Sequence, residues 1–147
     1  MHIDRSATIH VPLAPVDALP LFTPEGERDW VPGWEPEPIY EPSGTLSREG
    51  AVFRTTHGGE ETVWLVLRVD PGKGAADYVR LTPGSRLGTV RVRCRAAGDG
   101  ESTVEVGYRL TALSPAGEEA LRAITREAFE TDIRGWQDAI RRSLMRR

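Results

Sequence analysis

From Arg5 to Leu113 the chain is written mainly in a two-residue hydrophobic period, and from Pro115 to Met145 the period lengthens to three or four. The alternation is clearest near its end. Val90, Val92, Cys94 and Ala96 oppose Arg91, Arg93 and Arg95, and Val104, Val106, Tyr108 and Leu110 oppose Glu105, Arg109 and Thr111. Such segments are strands with one buried and one wet face. On adjacent strands the Arg and Glu rows are placed to pair across the solvent face, which accounts for those charges without a bound anion. Five strand signals follow one another: Ala51 to Thr56, Glu61 to Asp70, Ala75 to Thr82, Leu87 to Ala97 and Ser102 to Leu113. Their separators, His57-Gly58-Gly59, Pro71 to Gly74, Pro83-Gly84-Ser85 and Gly98-Asp99-Gly100, are hairpin connections, so an antiparallel meander is predicted. Val63 to Val69 is apolar on both faces and is expected at the centre of the sheet. Arg5 to Val11 supplies a first strand, ended by Pro12.

The longer period predicts one helix from Pro115 to Met145. Ser114 can cap it, Pro115 suits its first turn, Glu118 and Glu119 favour the positive end of its dipole, and Arg141, Arg142 and Arg146 the negative end. Leu121, Ile124, Ala128 or Phe129, Ile133, Trp136, Ile140 and Leu144 form a single apolar stripe. At about 1.5 Å per residue such a helix spans roughly 45 Å, and only a curved sheet could cover it. Pro15 to Phe22 offers a short helix. Thr23 to Pro42 has five prolines, which forbid long elements, but Trp30, Trp34 and Tyr40 mark it as packed rather than solvated.

Composition narrows the class. A chain of 147 residues is one domain, residues 1–147, with 39% apolar and 28% charged residues, ordinary for a soluble globular protein. A net charge of −3 gives no reason to expect nucleic acid as a partner. Eighteen of the nineteen basic residues are Arg, which with the abundant Ala, Gly and Pro points to a GC-rich bacterial genome. Cys94 is the single cysteine, so a reducing, cytoplasmic setting is expected, with Cys94 as a small buried hydrophobe. No run approaches the ~18 apolar residues of a membrane span, and no stable membrane insertion is expected.

The order strand, short helices, long meander, C-terminal helix resembles the helix-grip fold of the α+β class. The sequence itself resembles the START-like superfamily, or SRPBCC, which includes polyketide cyclase/dehydrases and birch-allergen-like proteins. The resemblance rests on Leu21 to Arg28, Trp30-Val31-Pro32-Gly33-Trp34, Gly50 to Gly59, Glu61-Thr62-Val63-Trp64, Tyr78 to Ser85 and the terminal helix with Trp136. It implies a curved antiparallel sheet of six or seven strands around a long C-terminal helix, with two short helices after the first strand. It also implies a cavity between sheet and helix. A cavity of that kind is a small-molecule site, for a hydrophobic or aromatic ligand such as a lipid or polyketide. Trp30, Trp34, Phe53, Trp64, Tyr78, Tyr108, Phe129 and Trp136 are spread over every element that could face it, either as its wall or as closed core.

Polar candidates are few. His57, beside Glu60 and Glu61, is a loop residue that a carboxylate could orient for proton transfer; a solvated surface His is the plainer reading. Arg80 and Arg68 lie in apolar strands, where an inward guanidinium could hold a ligand oxygen if something balances its charge. His57, Tyr78 and Arg80 are therefore the candidates for acid, base or oxyanion stabiliser if the cavity is a cyclase-type active site. Glu25, Glu27 and Asp29 flank the implied entrance. No metal-ligand cluster, nucleophile elbow or phosphate-binding loop is present, so neither metal nor cofactor is expected. A third possibility is an interaction module using the doubly apolar strand.

Overall fold

In a computed structural model describing residues 1–147, the alternating segments become strands of one antiparallel sheet. They are β1 (His2–Val11), β3 (Val52–His57), β4 (Glu60–Asp70), β5 (Ala75–Thr82), β6 (Arg86–Ala96) and β7 (Ser102–Ala112). A seventh, β2 (Glu37–Tyr40), comes from the proline-rich segment, where no strand is predicted. It is possible because β2 is an edge: it pairs only with β3, and Pro38 has no N–H to offer a further neighbour. The order is β1-β7-β6-β5-β4-β3-β2, a meander closed at one side by the N-terminal strand. Gly58 and Gly59, at φ 57° and 81°, form the two-residue turn between β3 and β4, a backbone path that side chains resist.

After β1 come α1 (Pro15–Ala18) and two short 3₁₀ turns, Leu19–Phe22 and Gly26–Asp29. The C-terminal segment differs from the prediction of one continuous helix. It is α2 (Pro115–Arg122) followed by α3 (Arg126–Met145). Thr125 breaks it: its backbone is extended and its side chain accepts from the Ala128 N–H at 3.1 Å, starting a second helix. Arg5 supports the break by donating Nε–H to the Ile124 carbonyl at 2.8 Å. The break serves packing. Leu121 joins a small cluster with Ile3 and Leu110, while Phe129, Ile133 and Ile140 join the main core, and one straight stripe would not meet both.

The β1-β7-β6 side of the concave face is filled. Ile9, Val11, Val104, Val106, Ile133 and Ile140 are each at most 1% exposed. Cys94 is buried beside them, and desolvation pushes its thiol up to about 12. On the outer face the expected Arg-to-Glu pairing of β6 with β7 is not what forms. Arg93 instead grips Asp77 of β5 at 2.9 Å, and Arg109 approaches Asp4 of β1 at 3.7 Å. Asp77 wins Arg93 because two guanidinium nitrogens reach its two oxygens.

Candidate functional site

The β3-β4-β5 side of the same concave face is hollow. There, a cavity of about 390 Å³ lies between the sheet, the Phe22–Glu35 segment and Trp136 of α3. Its floor follows from strand register. Phe53 of β3 lies opposite Trp64 of β4, Trp64 opposite Arg80 of β5, and Arg80 opposite Gly88 of β6. Phe53 and Trp64 stack with ring centroids 5.8 Å apart and planes 3° from parallel. Arg80 continues the row, its guanidinium carbon 4.9 Å from the Trp64 centroid and 5.8 Å from that of Tyr108.

Trp34 closes the row from the loop side, meeting Phe53 and Trp64 edge to face, each at 6.0 Å. Hydrogen bonds hold these rings in place. Trp34 Nε1 donates to the Pro24 carbonyl at 2.8 Å, Trp64 Nε1 to Thr55 Oγ1 at 3.0 Å, and the Tyr78 hydroxyl to the Phe22 carbonyl at 2.9 Å. The Tyr78 bond ties the sheet floor to the loop wall.

Of the residues singled out from sequence, Trp34, Phe53, Trp64, Tyr78, Arg80, Tyr108 and Trp136 all border the cavity. Trp30 and Phe129 do not. Trp30 is buried behind the wall, with Nε1 donating to the Leu21 carbonyl at 2.7 Å and its ring against Trp136 at 5.5 Å. Phe129 packs behind Tyr108 at 5.0 Å. Both are one layer too deep, a distinction that an aromatic in a sequence does not carry.

Among the polar candidates, His57 sits exposed at the rim. Neither neighbouring carboxylate orients it. Glu60 is bridged by both terminal nitrogens of Arg86, at 2.7 and 3.2 Å, and Glu61 faces Arg54 at 3.6 Å. The Arg86 hydrogen bond holds the Glu60 carboxyl below its ordinary range. Tyr78 has its proton committed to Phe22, and burial, with the nearby Glu27 and Asp77 charges, raises its pKa well above the usual phenol value. Arg68 lies opposite Asp77 on the outer face, past a register shift at Leu67, and takes no part in the cavity.

Sequence reasoning sets Glu27 at the entrance with Glu25 and Asp29. The structure instead makes it part of the cavity wall, where desolvation pushes its carboxyl well above the usual carboxylate range. The signal was the middle one of three acids, Glu25, Glu27 and Asp29, in a segment too rich in aromatics to be solvated. Tyr108 is likewise pushed upward by burial, against the opposing effect of Arg80. Thr62 and Thr82 satisfy each other at 2.8 Å. The site thus combines an aromatic floor, the Arg86–Glu60 ion pair at its edge, the guanidinium of Arg80, which has no ion-pair partner, and the Glu27 carboxyl, raised by burial.

No helix is long and apolar enough to cross a membrane. No protein-family model and no curated protein sequence matches the chain. Solved structures do match in shape. Norcoclaurine synthase from Thalictrum flavum superposes with a TM-score of 0.70 at 13% identity, covering 100% of this chain and 88% of that one. The same enzyme in complex with dopamine and hydroxybenzaldehyde gives a TM-score of 0.70 at 12% identity, over 99% of this chain and 88% of that one. The Zhui aromatase/cyclase from a Streptomyces species gives 0.63 at 15% identity, covering 98% of this chain and 96% of that one. These likenesses show the fold.

Proposed function

We propose that this helix-grip protein binds a small, mainly aromatic ligand in the cavity between its sheet and α3. One observation carries the reading: a space of about 390 Å³ is walled by Trp34, Phe53, Trp64, Tyr108 and Trp136. Three of those rings meet one another at preferred aromatic geometries and leave the space open. Binding pockets for small molecules have this size and this apolar lining with a few polar groups. The fold neighbours include enzymes whose names or complexes involve aromatic compounds, which favours the same ligand class for this chain.

N-phenyl-1-naphthylamine, a neutral probe whose fluorescence rises in apolar surroundings, tests the proposal. The wild type is expected to bind it with 1:1 stoichiometry and to release it to a competing flavonoid or anthraquinone. Val92→Phe, which places a ring in the cavity, is expected to abolish binding without unfolding the protein. A wild type that binds neither the probe nor any member of a panel of flavonoids, anthraquinones and fatty acids overturns it.

A cyclase- or aromatase-type enzyme is the second reading, favoured by Glu27. A carboxyl whose proton affinity is raised by burial, lining the same cavity as a guanidinium, can donate a proton to a ligand carbonyl while Arg80 stabilises the oxyanion. His57 at the rim and Tyr78 with its committed proton are weaker candidates for those roles. An interaction module calls for a closed core; Leu65 and Leu67 are exposed on the outer face, but the core behind them is hollow.

A further inference from the structure

We propose that the ligand of this cavity is a planar aromatic acid, its carboxylate or an equivalent delocalised oxyanion seated on the guanidinium of Arg80. The inference rests on the cavity being a ligand site and adds the charge and shape of the occupant.

Three arginines have a buried Nε–H without a hydrogen-bond partner: Arg54, Arg80 and Arg86. Arg54 and Arg86 each have carboxylates in ion-pair range, Arg54 with Glu37 and Glu61, and Arg86 with Glu60. Arg80 has none. It is half-buried, bordered by the rings of Trp64 and Tyr108, and reaches the cavity. Ring faces attract a cation weakly, and they leave its buried Nε–H unpaired. A guanidinium removed from water without a counter-ion is costly, and a carboxylate meeting its planar fork restores both charge and hydrogen bonds.

None of the carboxyls lining the cavity, Glu27, Glu35 and Glu60, forms an ion pair with it. Glu60 is already held by both terminal nitrogens of Arg86. Burial raises the Glu27 carboxyl well above its usual range, which weakens it as a counter-ion, and it forms no ion pair with Arg80. The hollow therefore holds a guanidinium with no carboxylate in ion-pair range, a condition suited to an anion.

Shape follows from the same row. The floor beside Arg80 is the stacked pair Trp64 and Phe53, with Trp34 standing edge-on to both. A flat ring system packed against that row brings an acid group at its edge within reach of the guanidinium. The volume of about 390 Å³ is large enough for two or three fused rings.

Calorimetric titration with 2-naphthoate and its neutral isostere 2-naphthamide separates this inference from the reading beneath it. The wild type is expected to bind the acid at least about tenfold more tightly than the amide, the value of a charge-assisted hydrogen-bond pair. In Arg80→Met that preference is expected to disappear, acid and amide then binding with equal affinity. Arg80→Lys, which keeps the charge but not the fork, is expected to retain only part of the preference. Equal binding of acid and amide by the wild type overturns the anion and leaves the aromatic cavity standing, and needs no variant to be folded. A preference that survives Arg80→Met overturns the role of Arg80. Binding of neither compound overturns both the inference and the ligand-site reading.

Discussion

The two sides of the concave face belong to one sheet under one helix, yet one is solid and the other hollow. Under α3, on the β1-β7-β6 side, the inward residues are branched aliphatics: Ile9, Val11, Val104, Val106, Ile133 and Ile140. Small, branched and free of polar atoms, they interdigitate to organic-crystal density. On the β3-β4-β5 side the inward residues are Phe53, Trp64, Tyr78 and Arg80, facing Trp34. Three of these rings have a polar atom, and each is tied to a fixed acceptor on loop or strand. A ring anchored at its edge cannot swing inward to close a gap. Curvature makes room between sheet and helix on both sides; tethered aromatics preserve it on only one.

The largest consequence of that contrast is in stability. Ile133→Ala and Ile140→Ala remove atoms from the solid side, where neighbours cannot collapse, and each is expected to cost about 2–5 kcal/mol in urea unfolding. Val90, which borders the hollow, is expected to tolerate Val90→Ala at well under half that cost, because truncation only enlarges a space already there. Equal costs on both sides would show that the hollow is closed in solution.

Enlarging side chains should separate the two sides in the same direction. Val104 is fully buried, and Val104→Phe is expected to destabilise by about 1–3 kcal/mol through overpacking. Val90→Phe puts the same ring into open space, and is expected to be neutral or to stabilise by up to about 2 kcal/mol while abolishing binding of 2-naphthoate. Thermal melts with and without ligand read both effects. Destabilisation by both substitutions alike breaks the contrast.

The solid side was far more legible in the sequence than the hollow one. Alternation in Val90-Val92-Cys94 and Val104-Val106 names buried positions directly, because a strand with one wet face has only two choices for each residue. Around Trp64 that code fails: Val63 to Val69 is apolar on both faces, and only register against Phe53 and Arg80 shows that Thr62, Trp64 and Val66 turn inward. Depth was equally hidden. Trp30 and Trp34 sit four residues apart in one irregular segment, and one is core while the other is cavity wall. Glu27 was visible as a residue and misplaced as an environment, because its position depends on how a 3₁₀ turn folds over a distant sheet. Gly26 holds that turn: a Cβ there would run into the Pro20 carbonyl.

Glu27 also distinguishes the two sides by pH. Its acid keeps its proton to higher pH in the folded protein than in the unfolded chain, where the ordinary value is 4.5. Between those two values the native state binds more protons, so the Glu27 contribution falls as pH rises, at a limiting slope of about 1.4 kcal/mol per pH unit. Glu27→Gln has no such proton to lose. The variant is expected to gain on the wild type in thermal melts as pH climbs above about 4.5 and to hold a constant offset below it. A difference that stays flat with pH would place the Glu27 carboxyl in water and remove the reason that Arg80 lacks a counter-charge.

The smallest expected effect concerns the start of the helix that covers both sides. Thr125 divides α2 from α3 by capping the Ala128 N–H, and the sequence did not announce it because Ile124 and Phe129 continue the apolar stripe across the break. If the cap is what sets α3 on its course over the main core, Thr125→Ala should cost about 1 kcal/mol, Thr125→Ser almost nothing, and Thr125→Gly only a few tenths more. That ranking is the diagnostic part. A loss tracking helix propensity would penalise Gly most, whereas a loss tracking an oxygen acceptor or an extended backbone penalises Ala. The cavity offers a second readout: Thr125 does not border it, so 2-naphthoate affinity should stay within about twofold in all three variants. A cap variant that weakens binding in step with stability would mean that the solid side and the hollow side open together, and that the hollow depends on the rigidity of its neighbour.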